Sequence, residues 1–444
     1  MTGYTRIWLA AVMAVCVFST AARAFEIEPV MGETGVDAWL VSEDAVPIVA
    51  VEVLFHAGSY LDPDGKSGLA DMTARLLTEG AGDLDSQAFA ARLRDLNVSL
   101  SISADRDKIR LRMRTLSEHT DAAFDLVRLA LTQPRFDTAD VERVRAKVLA
   151  NLARDDEDPD DVASRTLFAD VFAGHRYAAS PTGTPQSVSA LTAADMRAYV
   201  AQAFARDNLS IAVVGDITAD ELRPLIDATF GGLPAASDRA TPRLTEPLTP
   251  GVTLVERNNS QTVVMFALDG ITRDDEDFIA AYVMNYILGG GGFISRIFRE
   301  VREERGLVYS ARTALVPFAH GGILIGYLAS SNATAGQALD VARKQIEDIA
   351  ADGITAEELD IAKTYLTGSY ALRFDSSRSI AGQLALIQYE NLGIDYIDER
   401  NSLIEAVTLE DVRRVAKRLL KPDALHVVAV GAPDGLGTTN ASFE

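Results

Sequence analysis

Residues 289–309 read GGGGFISRIFREVREERGLVY, and no other stretch of the chain says as much about its fold. The glycines from Gly289 to Gly292 form a turn that leads into an amphipathic helix, which ends at a second glycine turn followed by Tyr309. A phosphate-binding loop would end in GK[ST] or read G-x-G-x-x-G, whereas Phe293 and Ile294 follow here. Since glycine tolerates positive φ and close neighbours, the turn predicts a close backbone approach or a flexible gate.

Further residues of the same stretch match a known family. The dipeptides Ser295-Arg296 and Arg302-Glu303 and the run from Arg305 to Tyr309 resemble the C-terminal domain of the insulinase-type zinc peptidases. This family of inverzincins includes pitrilysin and the mitochondrial processing peptidase. The resemblance covers nearly all of the chain after the first 24 residues. It implies two similar domains that face each other, so that two chains or two halves enclose a substrate chamber.

The composition is that of a folded, acidic protein. Of the 444 residues, 48% are hydrophobic and 24% are charged, which suits a globular chain with a large core and argues against disorder. The formal net charge of −22 disfavours nucleic acid and anionic membrane surfaces as partners, because both would be repelled. The same charge would attract cationic peptides, although an acidic surface also serves solubility alone.

The first 24 residues are typical of a secretory signal peptide. Arg6 precedes the apolar run from Ile7 to Phe18, and Ala22-Arg23-Ala24 is a small-x-small cleavage site. The run is shorter than the roughly 20 apolar residues of a transmembrane helix, so no membrane insertion is expected after cleavage. Cys16, the only cysteine, lies in the middle of this run, which argues against lipid attachment. These features predict a periplasmic protein whose mature form has no thiol.

After the signal segment the chain divides into two halves. We predict an N-terminal domain over residues 25–234, a linker rich in Pro, Thr and Ser over residues 235–251, and a C-terminal domain over residues 252–436. The two halves resemble each other at two helix starts, where a threonine N-cap is followed by acidic residues in the first turn. These threonines are Thr138 and Thr355.

A second pair of segments supports the repeat. Leu191–Asp195 and Val407–Asp411 each precede a helix and then a strand, and both pairs are separated by about 216 residues. A repeat of this length indicates a duplicated domain and not a solenoid. Strands are expected at Leu209–Gly215, Val252–Glu256, Gln261–Leu268 and His426–Gly431.

The strand pattern sets the expected fold class. Val51, Val53 and Phe55 alternate with other residues in one half, as do Leu111 and Met113. This predicts an α+β fold, in which each duplicated domain is a largely antiparallel sheet with helices packed on one face. The resemblance adds that the two domains form half of a clamshell chamber.

The zinc site that the resemblance implies is missing. Active members carry H-x-x-E-H on the first long helix, where the two histidines share one face and the glutamate is the general base. The matching positions are Asp71, Ala74 and Arg75, and the third ligand position, a glutamate in the family, is Asn151. Asp71 and Arg75 are spaced for a helical ion pair worth roughly 0.2–0.5 kcal/mol when exposed. We therefore expect no cofactor in this chain and zinc in a partner subunit.

No other metal site or hydrolase motif emerges from local spacing. Residues 154–161 are acidic but lack the glycine and glutamate of an EF-hand, which favours a solvated loop. No G-x-S-x-G elbow is present. None of the five histidines is within four residues of another, although tertiary assembly could still bring them together. They are His56, His119, His175, His320 and His426.

The C-terminal half keeps another part of the family's machinery. By resemblance, Arg302 and Tyr309 reach into the chamber, where a guanidinium and a phenol can donate to a peptide carbonyl or a developing oxyanion. The alternative is that Arg302 lies on a solvated helix face and Tyr309 packs in the core. Also by resemblance only, the glycine turn binds substrate; its residues are Gly289, Gly290, Gly291 and Gly292.

Together these features predict the non-catalytic, substrate-binding subunit of a heterodimeric periplasmic zinc metallopeptidase. Its partner would be a homologous subunit with an intact H-x-x-E-H motif, and Arg302 and Tyr309 would act in trans on peptide substrates. The main alternative is a peptide-binding or structural scaffold of the same fold without a peptidase role. A peptidase that acts alone through unrecognised ligands is a third hypothesis.

Overall fold

A computed structural model describes residues 25–237, 241, 243–244 and 246–437. The predicted signal peptide, residues 1–24, and five positions of the predicted linker (238–240, 242 and 245) lie outside the described residues. The limits proposed above for the two domains stay predictions.

The described residues contain two β-sheets, one in each half. The first has the strand order β1-β2-β6-β3-β5-β4, and the second has the order β7-β11-β8-β10-β9. Neighbouring strands are antiparallel except for one parallel pair in each sheet, β2 with β6 and β7 with β11. The strands are β1 Glu28–Met31, β2 Asp37–Ser42, β3 Ile48–Phe55, β4 Ser99–Ala104, β5 Ile109–Leu116, β6 Leu209–Gly215, β7 Gly251–Glu256, β8 Gln261–Asp269, β9 Val308–Phe318, β10 Gly321–Ser331 and β11 His426–Gly431.

Fifteen α-helices surround the sheets in the described part of the chain. The first half contains α1 Leu69–Leu76, α2 Ser86–Asp95, α3 Thr120–Thr132, α4 Thr138–Asp155, α5 Pro159–Val171, α6 Pro185–Ala190, α7 Ala193–Ala203 and α8 Ala219–Phe230. The second half contains α9 Phe278–Asn285, α10 Arg296–Phe298, α11 Ala335–Asp352, α12 Ala356–Gly368, α13 Ser377–Tyr389, α14 Tyr396–Ala406 and α15 Leu409–Leu419. Among the described helices, none combines the length and the apolar character needed to cross a membrane.

These elements confirm the α+β prediction. All four expected strands form, two of them, β6 and β11, with the expected bounds. Strand β5 shows the expected period of two, because Ile109, Leu111 and Met113 are buried while the arginines between them are not. Strands β3 and β6 are buried along almost their whole length, which means that both faces of the sheet are covered at its centre.

The two halves repeat each other in three dimensions. In each sheet two parallel neighbours are followed by three antiparallel strands, which come in the same order in both halves. The strands β2, β6, β3, β5 and β4 of the first sheet therefore correspond to β7, β11, β8, β10 and β9 of the second. The two segments expected to precede a helix and a strand do so, and Thr192 and Thr408 both cap the following helix with a capping box.

One expectation about the repeat is wrong by a residue. The N-cap of α4 is Asp137 and not Thr138, whereas Thr355 does cap α12. The burial pattern therefore aligns α4 with α12 at a separation of 218 residues, and Val144 and Val148 match Ala362 and Leu366. Sequence alone misplaced the cap because Asp137 is as good an N-cap as the threonine beside it.

Each sheet also packs against a helix from the other half. Helix α5 of the first half lies on β8 and β11 of the second sheet, where Val162 packs in one buried cluster with Met265 and Val428. Helix α13 of the second half lies on β3 and β6 of the first sheet, where Leu384 packs with Leu54. This exchange buries the second face of both sheets and joins the halves through apolar contacts.

Matching polar contacts lie beside the two exchanged helices. Asp170 of α5 accepts a hydrogen bond from Thr253 Oγ1 at 2.8 Å, and its Oδ2 lies 3.0 Å from His426 Nε2. At the matching position of α13, Gln388 donates to Asp37 at 3.0 Å. Nδ1 of His426 lies 2.8 Å from the carbonyl oxygen of Thr249. Since both neighbours of the imidazole are acceptors, the doubly protonated imidazolium fits this site.

The electrostatics of this contact agree with its geometry. Burial alone would lower the pKa of His426, but the hydrogen bonds with Asp170 and Thr249 raise it above its ordinary value. Burial alone would raise the pKa of Asp170, but the hydrogen bonds with His426 and Thr253 hold it below its ordinary value. The pair is therefore stabilising in its charged form.

We predict that Asp170→Asn lowers the free energy of unfolding by about 2 kcal/mol at pH 6 and by less at pH 9. The contribution of a histidine with a raised pKa is fully present below its unfolded pKa of about 6.5, and it is lost as the pH rises through the folded value. Urea unfolding at the two pH values measures the difference. Gln388→Ala, at the matching contact without a histidine, is the control, and its effect should be the same at both pH values. An equal loss for Asp170→Asn at pH 6 and pH 9 would contradict the assignment.

Candidate functional site

The helix that carries the degenerate zinc motif begins at a buried carboxylate. Asp62 accepts hydrogen bonds from the backbone N–H groups of Gly68, Leu69 and Ala70 at 2.9–3.2 Å and so caps the N-terminus of α1. Burial raises the pKa of Asp62 to about 8, although these three N–H groups oppose the shift. The cap fixes where α1 starts and therefore which face of α1 the motif occupies.

The expected ion pair occupies the zinc motif. Arg75 Nε donates to Asp71 Oδ2 at 2.7 Å, with the carboxylate largely buried and the guanidinium about one-third exposed. Ala74, at the position of the general base, is buried and offers no polar atom. The only acidic group of the motif is thus already engaged by a cation.

The third ligand position adds no metal-binding group. Asn151 lies on α4, which packs against α1, and its side-chain oxygen accepts a hydrogen bond from Arg154. Zinc requires three or four His, Cys or carboxylate ligands, and one carboxylate held by a guanidinium does not fit that need. Among the described residues, no group of three or more His, Cys, Asp or Glu side chains could hold a metal ion. The residues at the three positions therefore do not fit a zinc ion.

We predict that a double-mutant cycle of Asp71→Ala and Arg75→Ala gives a coupling energy of about 0.5 kcal/mol or more. The acid precedes the base by four residues, which is the favourable orientation on a helix, and Asp71 is largely buried. Urea unfolding of the four proteins measures the coupling. The exposed pair Lys344 and Asp348 has the reverse orientation and is the control, with a smaller expected coupling. A coupling energy near zero between Asp71 and Arg75 would show that the ion pair does not stabilise the helix at the positions where the family has zinc ligands.

The glycine turn begins where a helix changes from α-helical to π-helical geometry. Helix α9 continues into a π-helical turn, Tyr286–Gly290, in which Gly291 N–H donates to the Tyr286 carbonyl at 2.8 Å. Gly289 is buried, and a Cβ there would lie 2.5 Å from Thr313 Oγ1 and 2.7 Å from Thr313 N. A Cβ on Gly290 or Gly291 would approach atoms of residues 285 and 286 to 2.8 Å. The turn thus has the close backbone approach that the sequence predicted.

The last glycine of the turn differs from the other three. Gly292 has a φ of +61° and an open environment, with no atom within 4 Å of an added Cβ. Its carbonyl accepts a hydrogen bond from the buried Ser295 hydroxyl at 2.7 Å. Gly292 is therefore required for its backbone conformation and not for space.

We predict that Gly289→Ala lowers the free energy of unfolding more than Gly292→Ala. The first change forces a methyl group into the backbone of β9 and should cost about 1–3 kcal/mol. The second costs about 1 kcal/mol, since an alanine at positive φ is strained but has space. Urea unfolding of the two variants tests the order. The reverse order would contradict the described packing of the turn.

The helix that follows is shorter than the sequence indicated. Helix α10 spans three residues and continues as a second π-helical turn, Arg299–Glu303. Ile297 and Val301, four residues apart, are fully buried and anchor the segment. The amphipathic pattern was thus correct, but the regular helix was not. Irregular π-helical turns are common at functional sites, and here two of them flank one turn.

Arg302 and Tyr309 are brought together at the end of this segment. Arg302 Nη1 donates to the carbonyl oxygen of Tyr309 and lies 3.4 Å from that of Val308. Tyr309 begins the edge strand β9 together with Val308, and 60% of its surface is exposed. Both side chains are therefore on the surface, and the alternative of a Tyr309 packed in the core is wrong. The guanidinium also lies 5.6 Å from the Phe298 ring.

Sequence reasoning missed a contact that ties this segment to α12. Arg296 binds Glu358 in a two-pronged ion pair at 2.6 and 2.7 Å. Burial would raise the pKa of Glu358, but the hydrogen bonds from Arg296 and from the Thr355 N–H hold it below its ordinary value. The signal for Glu358 was its place in the capping box of α12, but nothing in the sequence connects it to Arg296, 62 residues away.

Two family models match consecutive parts of the chain. Residues 39–185 match the family described as insulinase, peptidase family M16, and residues 190–366 match the family described as peptidase M16 inactive domain. An uncharacterized zinc protease of Mycobacterium bovis is 30% identical over 382 residues, which are 85% of this chain and 86% of that protein. The non-peptidase homolog YmxG of Helicobacter pylori is 25% identical over 375 residues, 84% of this chain and 86% of that protein.

The fold is also shared with a solved structure. The crystal structure of a peptidase M16 inactive domain from Pseudomonas fluorescens superposes with a TM-score of 0.86 and 28% sequence identity. The match covers 94% of this chain and all of that chain. This similarity confirms the two-domain α+β architecture.

Proposed function

This chain belongs to the insulinase family, peptidase family M16, and we propose that it is the non-catalytic, substrate-binding subunit of a heterodimeric periplasmic zinc metallopeptidase. Its partner is a homologous subunit with an intact H-x-x-E-H motif, which holds the zinc. The chain contributes to peptide hydrolysis only in the presence of that partner. Periplasmic location rests on the signal-like residues 1–24.

The proposal is carried by the division between the two halves. In the first half the zinc motif is replaced by the ion pair of Asp71 and Arg75. In the second half Arg302 and Tyr309 are both exposed at the end of the glycine-turn segment, and Arg302 donates to the backbone carbonyl of Tyr309. A relative of similar length is named a non-peptidase homolog, while another is named a zinc protease. A split between substrate handling and metal chemistry accounts for both features.

The chemistry of the pair suits a role in trans. A guanidinium carries five N–H donors, and the contacts with Val308 and Tyr309 both use Nη1. The Nε and Nη2 groups can then donate to a peptide carbonyl, and the Tyr309 hydroxyl can donate to the oxygen that becomes negative during hydrolysis. Such donors act most strongly where water is excluded, as in a closed chamber.

The geometry also supports a second candidate, a scaffold of the same fold without a peptidase role. The bond from Arg302 to the Tyr309 carbonyl closes the second glycine turn. A residue needed only to close this turn would have the same contact. The two candidates differ in what the loss of Arg302 does to hydrolysis.

We predict that Arg302→Ala lowers kcat of the assembled complex by roughly 100-fold with a smaller change in KM, because a donor to the transition state is lost. Hydrolysis of unstructured peptides by the complex with a zinc-bearing homologue of the same organism measures the effect. Arg302→Lys, which keeps the charge but not the fork, should recover part of kcat.

Arg305→Ala is the matched control for this experiment. Arg305 is an exposed arginine of the same segment that pairs with Glu300 at 2.7 Å, and its loss should leave kcat unchanged. Size-exclusion chromatography of each variant with the partner verifies assembly. Unchanged hydrolysis by an assembled Arg302→Ala complex would reject the role of Arg302 and favour the scaffold.

A further inference from the structure

A strip of exposed apolar side chains runs from the glycine turn along α12. Its members are between 45% and 75% exposed. Single exposed apolar residues are common, but a contiguous set marks a binding surface. The members, here called the apolar strip, are Phe293, Ile294, Ile361, Tyr365 and Leu372.

The strip lines two adjoining grooves. The first, of about 490 Å³, lies between the glycine turn and the start of α12. The second, of about 660 Å³, continues along α12 to Leu372, and Ile294 and Ile361 line both grooves. Each groove is as large as a typical small-ligand pocket, and their continuity suits an extended chain better than a compact molecule.

Aromatic contacts fix the strip in place and connect it to Arg302. Tyr365 stacks on Tyr286 of the π-helical turn, with ring centroids 5.3 Å apart. Phe293 meets Phe298 edge to face at 4.9 Å, and the guanidinium of Arg302 lies over the same Phe298 ring. The apolar strip therefore ends beside the pair to which the proposed function assigns peptide contacts.

The first half of the chain, which repeats the same fold, shows that the fold does not require this strip. With α12 aligned on α4 by their burial patterns, Ile361 and Tyr365 correspond to Arg143 and Lys147. Leu372, beyond the end of α12, corresponds to Arg154. The same helix in the same architecture thus carries basic side chains on this face. On α12 the inner face is also apolar and is buried in the core, so the outer apolar residues serve a separate purpose.

The rim of the two grooves is acidic. Glu303 and Glu357 line the first groove and Asp360 lines the second, and all three are exposed. Arg299, a cation on the same rim, lies 3.7 Å from Glu300. With the net charge of −22, this rim attracts cationic groups and repels acidic ones.

We infer that the apolar strip binds an extended peptide segment that combines large apolar side chains with flanking Lys or Arg residues. The apolar side chains lie in the two grooves, and the basic residues lie along the rim at Glu303, Glu357 and Asp360. The two turns from Ile361 to Gly368 span roughly 11 Å, which an extended peptide covers with three or four residues. The inference rests on the proposed function, because it names the class of peptide that the substrate-binding subunit selects.

The test is peptide binding by this chain alone, without the zinc-bearing partner. The probe is a fluorescein-labelled, unstructured 12-residue peptide with three leucines flanked by two arginines on each side. Two matched peptides have serine for leucine or glutamate for arginine. Fluorescence anisotropy should show binding of the first peptide and at least tenfold weaker binding of each of the other two. Raising the salt concentration should weaken binding of the first peptide.

Two variants locate the binding surface. Ile361→Ser with Leu372→Ser should weaken binding at least tenfold, since both changes remove apolar area from the grooves. Val46→Ser, at an exposed β-branched residue of the first half, is the control and should leave binding unchanged. Equal binding of all three peptides, or equal binding by the double variant and the unchanged chain, would overturn the inference. So would loss of assembly with the partner in the double variant, because the strip would then be a subunit interface.

The outcome also separates this inference from the proposed function. If the chain alone binds the leucine–arginine peptide through the strip but adds nothing to hydrolysis by the partner, the split enzyme fails and the binding surface stands. If the mixture hydrolyses peptides but the chain alone does not bind the probe, the binding surface fails and the split enzyme stands.

Discussion

The exchange of helices between the two halves is the constraint on which the rest of the structure depends. Each sheet has helices of its own half on one face, and its other face would expose a row of apolar side chains without α5 or α13. The exchange removes both faces from water, so neither half can form its complete core alone. The contact between Asp170 and the buried His426 then fixes α5 against the second sheet. The two halves are therefore held in a fixed relation, which is needed if residues of one chain are to meet a site on another.

Within this frame the two copies of the domain have diverged in opposite ways. The first copy keeps the helix of the zinc motif, with its buried cap at Asp62, but fills the motif with an ion pair. The second copy has a glycine turn with two π-helical turns and an exposed Arg302 and Tyr309. The matching outer faces of α4 and α12 also differ. The face of α4 carries basic side chains, whereas the face of α12 carries apolar ones. Duplication thus left one copy with stabilising contacts and the other with an open surface.

The sequence predicted the parts of the structure that depend on local pattern. The strands β6 and β11, the ion pair of Asp71 and Arg75 and the N-cap at Thr355 follow from period, spacing or N-cap chemistry over a few residues. The Asp137 cap was missed because two good N-cap residues stand side by side. The helix exchange was missed because a helix with an apolar face does not reveal which sheet it covers. The apolar strip was missed because its members come from segments about 70 residues apart.

The measurement that tests the central claim most directly is peptide hydrolysis by three samples. These are this chain alone, a homologue of the same organism with an intact H-x-x-E-H motif alone, and the two together, all with the same pool of unstructured peptides. The account predicts hydrolysis by the mixture and none by either protein alone. Full activity of the homologue alone, unchanged by addition of this chain, would contradict it.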